Sequence, residues 1–261
     1  MGSTHQKIKG KVGLQLFTLR SILKTPEEIK DTLKKVKAIG YDVVQVAGLG
    51  PIDVKELKGI LSENKLYPCS VHVGYDALLK ETDRILEESK LMGYEMVICA
   101  VLPKELRSVS GFKKAAKELT KIGEYFFKNN ILLGYHNHAF ELEKFKDKTF
   151  LEILFEESDP KYLKAEIDTY WIQYGGGDPA SWILKYKERV FTVHLKDYGI
   201  RENSPIMLEV LEGNLNWKSI FNALKEANTK WYIVEQDNTN EKAPLESVKI
   251  SLNNIKKFEG S

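Results

Sequence analysis

Leu132 to Leu142 reads LLGYHNHAFEL, an apolar run that ends in His136, His138 and Glu141. In an extended strand successive side chains alternate between faces, so His136 and His138 share one face while Tyr135 and Asn137 take the other. Two imidazoles converging at a strand end suit a divalent metal or a hydrogen-bond cluster around a polar ligand. For an isolated pair the plain alternative is two satisfied structural histidines. Three further strand-like runs end in the same way: LKAEIDTYW with Asp168, VFTVHLKD with His194 and WYIVEQD with Glu235.

Outward from that stretch, strand-like and helix-like segments alternate along the whole chain. VGLQLFTL (Val12 to Leu19) reads as a buried strand. Thr25-Pro26-Glu27-Glu28 then supplies an N-cap, a proline at the first helical position and a capping-box glutamate, and Ile29, Leu33, Val36 and Ile39 keep helical spacing up to Gly40. YDVVQVAG precedes a helix near Asp53 to Glu63, PCSVHVG one near Tyr75 to Met92, and EMVICAVL one near Gly111 to Asn129. The fifth strand, ILLGYHNH, is followed by a helix near Thr149 to Glu157, and the sixth, LKAEIDTYW, by one starting at Asp178-Pro179. VFTVHLKD leads through a longer loop to a helix near Asn216 to Ala227, and KWYIVEQD to a closing helix marked by Leu245, Val248, Leu252 and Ile255.

Eight such units spaced by about 30 residues match a single-domain (β/α)8 barrel, a TIM barrel, over 1–261, with about 1–10 a flexible tail. A doubly wound open sheet is the competitor. It lacks support here because no glycine-rich phosphate fingerprint follows the first strand, and polar residues gather at the ends of many strands.

The 261 residues are 43% hydrophobic and 29% charged, enough for a packed core under a solvated surface. A net charge of +2 from 39 basic and 37 acidic residues provides no broad field for a polyanion, so nucleic acid is not an expected partner. No apolar run approaches the roughly 18 residues of a membrane span, and MGSTHQKIKGK has no signal-like apolar core. The expected setting is therefore cytoplasmic, without a membrane partner, and a homo-oligomer is left open. Cys69 and Cys99 sit inside strand-like runs and read as buried thiols.

In a barrel all strand C-termini face one mouth, which brings Glu141, Asp168, His194 and Glu235 together. Clustered carboxylates repel one another and require a counter-charge. A single divalent ion, manganese, magnesium or zinc, is the expected one.

With VGLQLFTLR, SVHVGYDAL, GYHNHAFEL, EIDTYW followed by GGGDPASWILKYKERV, HLKD and VEQD, the chain resembles the xylose-isomerase-like barrels of the sugar phosphate isomerase/epimerase superfamily over nearly its whole length. The resemblance implies a metal held by a Glu, an Asp, a His and a second Glu from strands five to eight. Asp168, His194 and Glu235 fall on the last three. For the first, epimerase-like members carry the glutamate within the fifth strand, where this chain has His136. Inosose-dehydratase-like members carry it after a His-x-His, which favours Glu141, with His136 as the alternative ligand. Trp171 stands where epimerase-like members have a histidine.

Such a site acidifies the carbon between a ketone and its neighbouring hydroxyl and stabilises an enediolate. The expected function is isomerisation or epimerisation of a small sugar or keto-sugar. The alternative is a dehydratase or hydratase acting on an inosose or 3-keto-sugar, and after it a non-catalytic sugar-binding barrel. Five histidines and a charge of +2 argue against a multi-metal nuclease on the same fold. Glu141 and Glu235 are the expected acid/base pair, His138 is their understudy, and Lys196 could donate to a substrate oxygen, assist proton transfer or pair with a metal carboxylate. His72, His136, His138, Trp171, Lys196, Arg201 and Asp237 are the candidate substrate contacts, and Asp237 could simply pair with Lys196.

Overall fold

The computed structural model describes residues 10–260, so nearly all of the tail expected over about 1–10 lies outside the described residues. Apolar runs of four to seven residues form the eight barrel strands: β1 (Lys11–Gln15), β2 (Val43–Val46), β3 (Tyr67–Val73), β4 (Met96–Cys99), β5 (Leu132–His136), β6 (Leu163–Asp168), β7 (Val190–Leu195) and β8 (Trp231–Val234). Each pairs in parallel with its sequence neighbours, and β8 returns to β1 with Leu14 opposite Val234, closing the barrel. Every residue of β2, β4 and β8 is buried. Apart from Gln45 in β2, these strands read as continuous apolar runs because helices cover the outer face while side chains fill the inner one.

Local chemistry explains the helices. In Pro26–Ile39, Thr25 accepts from the Glu28 amide, Pro26 opens the first turn and Gly40 closes it in the left-handed region at φ 113°. Ile29, Leu33 and Val36 face the barrel. The Glu28 carboxylate does not complete a capping box there; it accepts from the Lys24 amide, one residue before the cap. The reciprocal box occurs instead at Thr149 and Glu152, opening Phe150–Glu156. The helix expected near Tyr75 to Met92 is two, Tyr75–Lys80 and Thr82–Met92, because Glu81 leaves helical dihedrals and the Thr82 hydroxyl bonds back to the Leu78 carbonyl. Among the described residues no helix is long and apolar enough to cross a membrane.

The segment after β7 departs from the sequence reading. Instead of a plain loop, Asp197–Arg201 and Ser204–Leu208 pair antiparallel, turned by Glu202 and Asn203 at φ 50° and 60°. This left-handed pair is the hairpin turn usually marked by Asn-Gly or Asp-Gly; built from Glu-Asn, it carried no glycine signal. Asp197 ties the hairpin's base to the chain beyond it. Its carboxylate accepts from the amides of Tyr198, Gly213 and Leu215 and from the Trp217 indole. Replacing Asp197 with Ala strands these donors and is expected to cost about 3 kcal/mol in urea unfolding, with early amide exchange in Asp197–Leu208. Unchanged stability would show that the carboxylate is dispensable.

Candidate metal centre

The strand ends decide which side chains meet. His136 closes β5, Asp168 closes β6 opposite His194 of β7, and Glu235 follows β8. One ligand atom from each of His136, Asp168, His194 and Glu235 lies within 4.8 Å of the others, and all four residues are buried. His136 Nε2 is 3.4 Å from Asp168 Oδ2; His194 Nδ1 is 3.7 Å from the same oxygen and 2.9 Å from Glu235 Oε2. Second partners aim these groups. His136 Nδ1 lies 3.3 Å from the Ala100 carbonyl, and Asp168 Oδ1 accepts from the Trp171 amide at 2.9 Å, leaving Oδ2 for the centre.

Glu141, the expected fifth-strand ligand, is placed elsewhere. It sits in the short turn Phe140–Leu142, fully buried, accepting from the Tyr135 hydroxyl at 2.7 Å and from the His138 amide at 2.9 Å. Strand alternation sends Tyr135 into the outer core, and Glu141 follows it there. Burial pushes the Glu141 carboxyl up to about 7, against the lowering effect of the bonds from Tyr135 and the His138 amide. The residue that β5 offers to the centre is His136.

Lys196 is wholly buried, and its Nζ lies 2.5 Å from Asp237 Oδ2, 2.7 Å from Glu235 Oε2 and 3.0 Å from Asp168 Oδ2. Burial disfavours its charge, but Asp168, Glu235 and Asp237 outweigh burial and hold the amine well above its usual range. Burial would likewise raise Asp168 and Glu235, yet Lys196 and the histidines keep both carboxyls low. His194 is raised because Glu166 and Glu235 overcome its burial. His138 is driven down to about 3 by burial, then by His136 and Lys196, and is neutral near pH 7.

A cavity of about 330 Å³ opens on this cluster, lined by His72, His136, His138, Glu235 and Asp237 and walled by Phe17, Ala47, Gly48, Ala100 and Val101. A larger cavity of about 700 Å³ near Lys11 and Trp231 lies at the strand N-termini and holds none of the expected site residues. Barrel chemistry belongs at the other end. Trp171 leans over the cluster, its ring 5.7 Å from Lys196 Nζ. Arg201 is exposed on the hairpin and borders a separate cleft with Glu209 and Glu212.

Sequence reading passed over Gln15, Gln45, Glu166 and Thr192, all buried. The signal was alternation: Glu166 stands two residues before Asp168 and so shares its inward face, and Gln45 interrupts the apolar VVQV of β2. Glu166, His72 and His194 form a second group of possible ligands. There the carboxylate is already taken up, by His72 Nε2 at 2.5 Å, Gln45 Nε2 at 2.7 Å and Thr192 Oγ1 at 3.2 Å. In the first group His194 Nδ1 and Glu235 Oε2 are buried without an aligned hydrogen bond. Two imidazoles and two carboxylates converging on one point are a donor set that fits a divalent ion of the zinc, manganese or magnesium kind, with Lys196 Nζ paired to both carboxylates in its place here.

A family model described as the xylose isomerase-like TIM barrel matches residues 33–258. The chain belongs to this family. An inosose dehydratase of Clostridium tetani is 28% identical over 152 residues, 52% of this chain and 50% of that protein, so the match spans about half the length of the curated relative. Among solved structures, a sugar phosphate isomerase/epimerase of Parabacteroides distasonis superposes with a TM-score of 0.81 at 20% identity, covering 95% of this chain and 98% of its own. A xylose isomerase-like barrel protein of Mycobacterium smegmatis in complex with magnesium does so at 0.74 and 13% identity, covering 99% and 98%. At these identities the structural likeness shows the shared fold.

The raised Glu141 carboxyl has a stability consequence. An unfolded glutamate loses its proton near 4.5 while the folded one keeps it to about 7, so the native state binds more protons between these values and stability falls as pH rises through that window. Urea unfolding at pH 5 and pH 8 is expected to show a decline of up to roughly 3 kcal/mol that is absent from Glu141→Gln. The same slope in both proteins would assign the decline to other groups.

Proposed function

We propose that this barrel is a metal-dependent enzyme that moves a proton beside the carbonyl of a small sugar or keto-sugar, as an isomerase or epimerase. The observation that carries it is the convergence of His136, Asp168, His194 and Glu235 on one buried point, from which His136 and Glu235 reach a cavity of about 330 Å³. These residues would hold a divalent ion, which when bound polarises a ketone oxygen and its neighbouring hydroxyl. Glu235 lines the cavity and is the carboxylate positioned to take the proton. The buried Lys196 ammonium holds the Asp168, Glu235 and Asp237 carboxylates together beside the cavity. His138 lines the cavity and Trp171 packs against its ring, and these two rings are the proposed contacts to the sugar. His72 and Asp237 shape the cavity wall.

A second reading, elimination of water from an inosose or keto-sugar, has its own support. Epimerisation by two bases needs an acid/base group on each side of the carbon, and with Glu141 turned away the understudy on the cavity wall is a neutral imidazole, His138. Elimination needs a side-chain base on only one side of the carbon, a role that suits Glu235, with the proton for the departing hydroxyl supplied by water. The inosose dehydratase relative points the same way.

Elemental analysis of purified protein is expected to find one divalent ion per chain. It should be lost in Asp168→Asn, His136→Ala and His194→Ala and kept in Glu141→Gln, and Glu235→Gln should abolish turnover. Proton NMR in heavy water with a panel of keto-sugars and inososes separates the readings: deuterium at the carbon beside the ketone with the sugar otherwise intact indicates isomerisation or epimerisation, and loss of water indicates the dehydratase. Absence of metal after reconstitution would leave a non-catalytic barrel.

A further inference from the structure

We propose that Gln45 is a positioning residue that sets the tautomer His194 takes as a metal ligand, keeping the ring proton on Nε2 and leaving Nδ1, on the side of Asp168 and Glu235, to bind the ion. The inference rests on the metal-centre reading above and adds to it a group that touches neither the ion nor the substrate.

The argument starts at His194 Nε2, which lies 2.6 Å from Gln45 Oε1 and 3.2 Å from Glu166 Oε2. Both neighbours are acceptors, so this nitrogen donates. As a metal ligand His194 must be a neutral imidazole with one N–H, and with Nε2 donating it is Nδ1 that gives up its proton and carries the lone pair. The conclusion depends on which way the Gln45 amide faces, and two independent anchors decide that. On its amino side, Gln45 Nε2 is 2.7 Å from Glu166 Oε1 and 2.8 Å from Ser70 Oγ. An ionised carboxylate only accepts, so the amino group belongs there. On its oxygen side, Gln45 Oε1 accepts from Gln15 Nε2 at 2.6 Å. Gln15 is itself oriented, since its Oε1 accepts from the Phe17 amide at 3.3 Å.

Turning Gln45 over would set two amino groups against each other at Gln15 and an oxygen against the Glu166 carboxylate. Water cannot relieve either clash, because Gln15, Gln45, Glu166 and His194 are each 0% exposed. The orientation thus passes from a backbone amide in the turn after β1, through two glutamines on β1 and β2, to a ring on β7. Groups that orient a ligand in this way commonly contribute ten- to hundred-fold in metal affinity.

The test uses the full-length protein loaded with zinc and labelled with 15N at histidine, the His194 signals being assigned by their loss in His194→Ala. His194 is expected to show a protonated Nε2 and a zinc-ligated Nδ1. Gln45→Met keeps the length of the side chain and removes both polar atoms. It should weaken zinc binding by roughly ten-fold or more in competition with a chromophoric chelator, and the Nε2–H signal should broaden or disappear. Glu166→Gln, which frees the amide to turn, should change the signal in the same direction and stands in if Gln45→Met does not fold. Zinc ligation through Nε2 overturns the inference, as does wild-type affinity with an unchanged His194 signal in a folded Gln45→Met. Wild-type protein that takes up no zinc fails earlier, at the metal centre, and removes the inference with it.

Discussion

Negative charge in a water-poor barrel mouth is the constraint around which the rest of the structure is arranged. Asp168, Glu235 and Asp237 crowd together at the strand ends, and Lys196 sits among them wholly buried. Burying one such charge alone costs several kcal/mol, so the cluster persists because each carboxylate has a cation or a donor within reach. The ammonium touches the same two oxygens, Asp168 Oδ2 and Glu235 Oε2, that face His194 Nδ1. A divalent ion at the centre would therefore share these oxygens with Lys196, and Asp237 gives the ammonium a third partner.

Around that cluster the barrel supplies two kinds of polar layer. Toward the cavity lie His136, Glu235 and Asp237, held by ion pairs that a ligand could exchange. Beneath them Gln15, Gln45, Glu166 and Thr192 form a network on β1, β2, β6 and β7 linked by close hydrogen bonds. The difference follows from position: the lower layer is sealed by its neighbours and tolerates little that is unpaired, while the upper layer adjoins the cavity. Function belongs to the layer that adjoins the cavity, and rigidity to the sealed one beneath.

The fold was legible because its signals are local and repeated. Strand runs, N-caps such as Thr25, Asp53 and Asn216, and stops such as Gly40 recur at the spacing of strand-helix units, and closure of eight such units into a barrel follows. The hairpin of Asp197–Leu208 was not legible, because its left-handed turn uses Glu202 and Asn203 without glycine. Asp168, His194 and Glu235 could be read as strand-end residues. Glu141 was ranked above His136 on the resemblance, whereas the structure brings His136 to the cluster and pairs Glu141 with Tyr135, since a residue beyond a strand end follows the turn and not the alternation.

By itself, then, the sequence determined which segments become strands and helices, and that polar residues accumulate at one end of them, because hydrophobic periodicity and capping act over a few residues. Only the tertiary structure decided that β5 presents His136 while Glu141 turns to Tyr135, that Lys196 takes three carboxylates, and that Gln45 reaches a histidine 149 residues away. Those choices depend on distances across a closed barrel, where a charge or amide settles against whichever partner the packing leaves within hydrogen-bond reach.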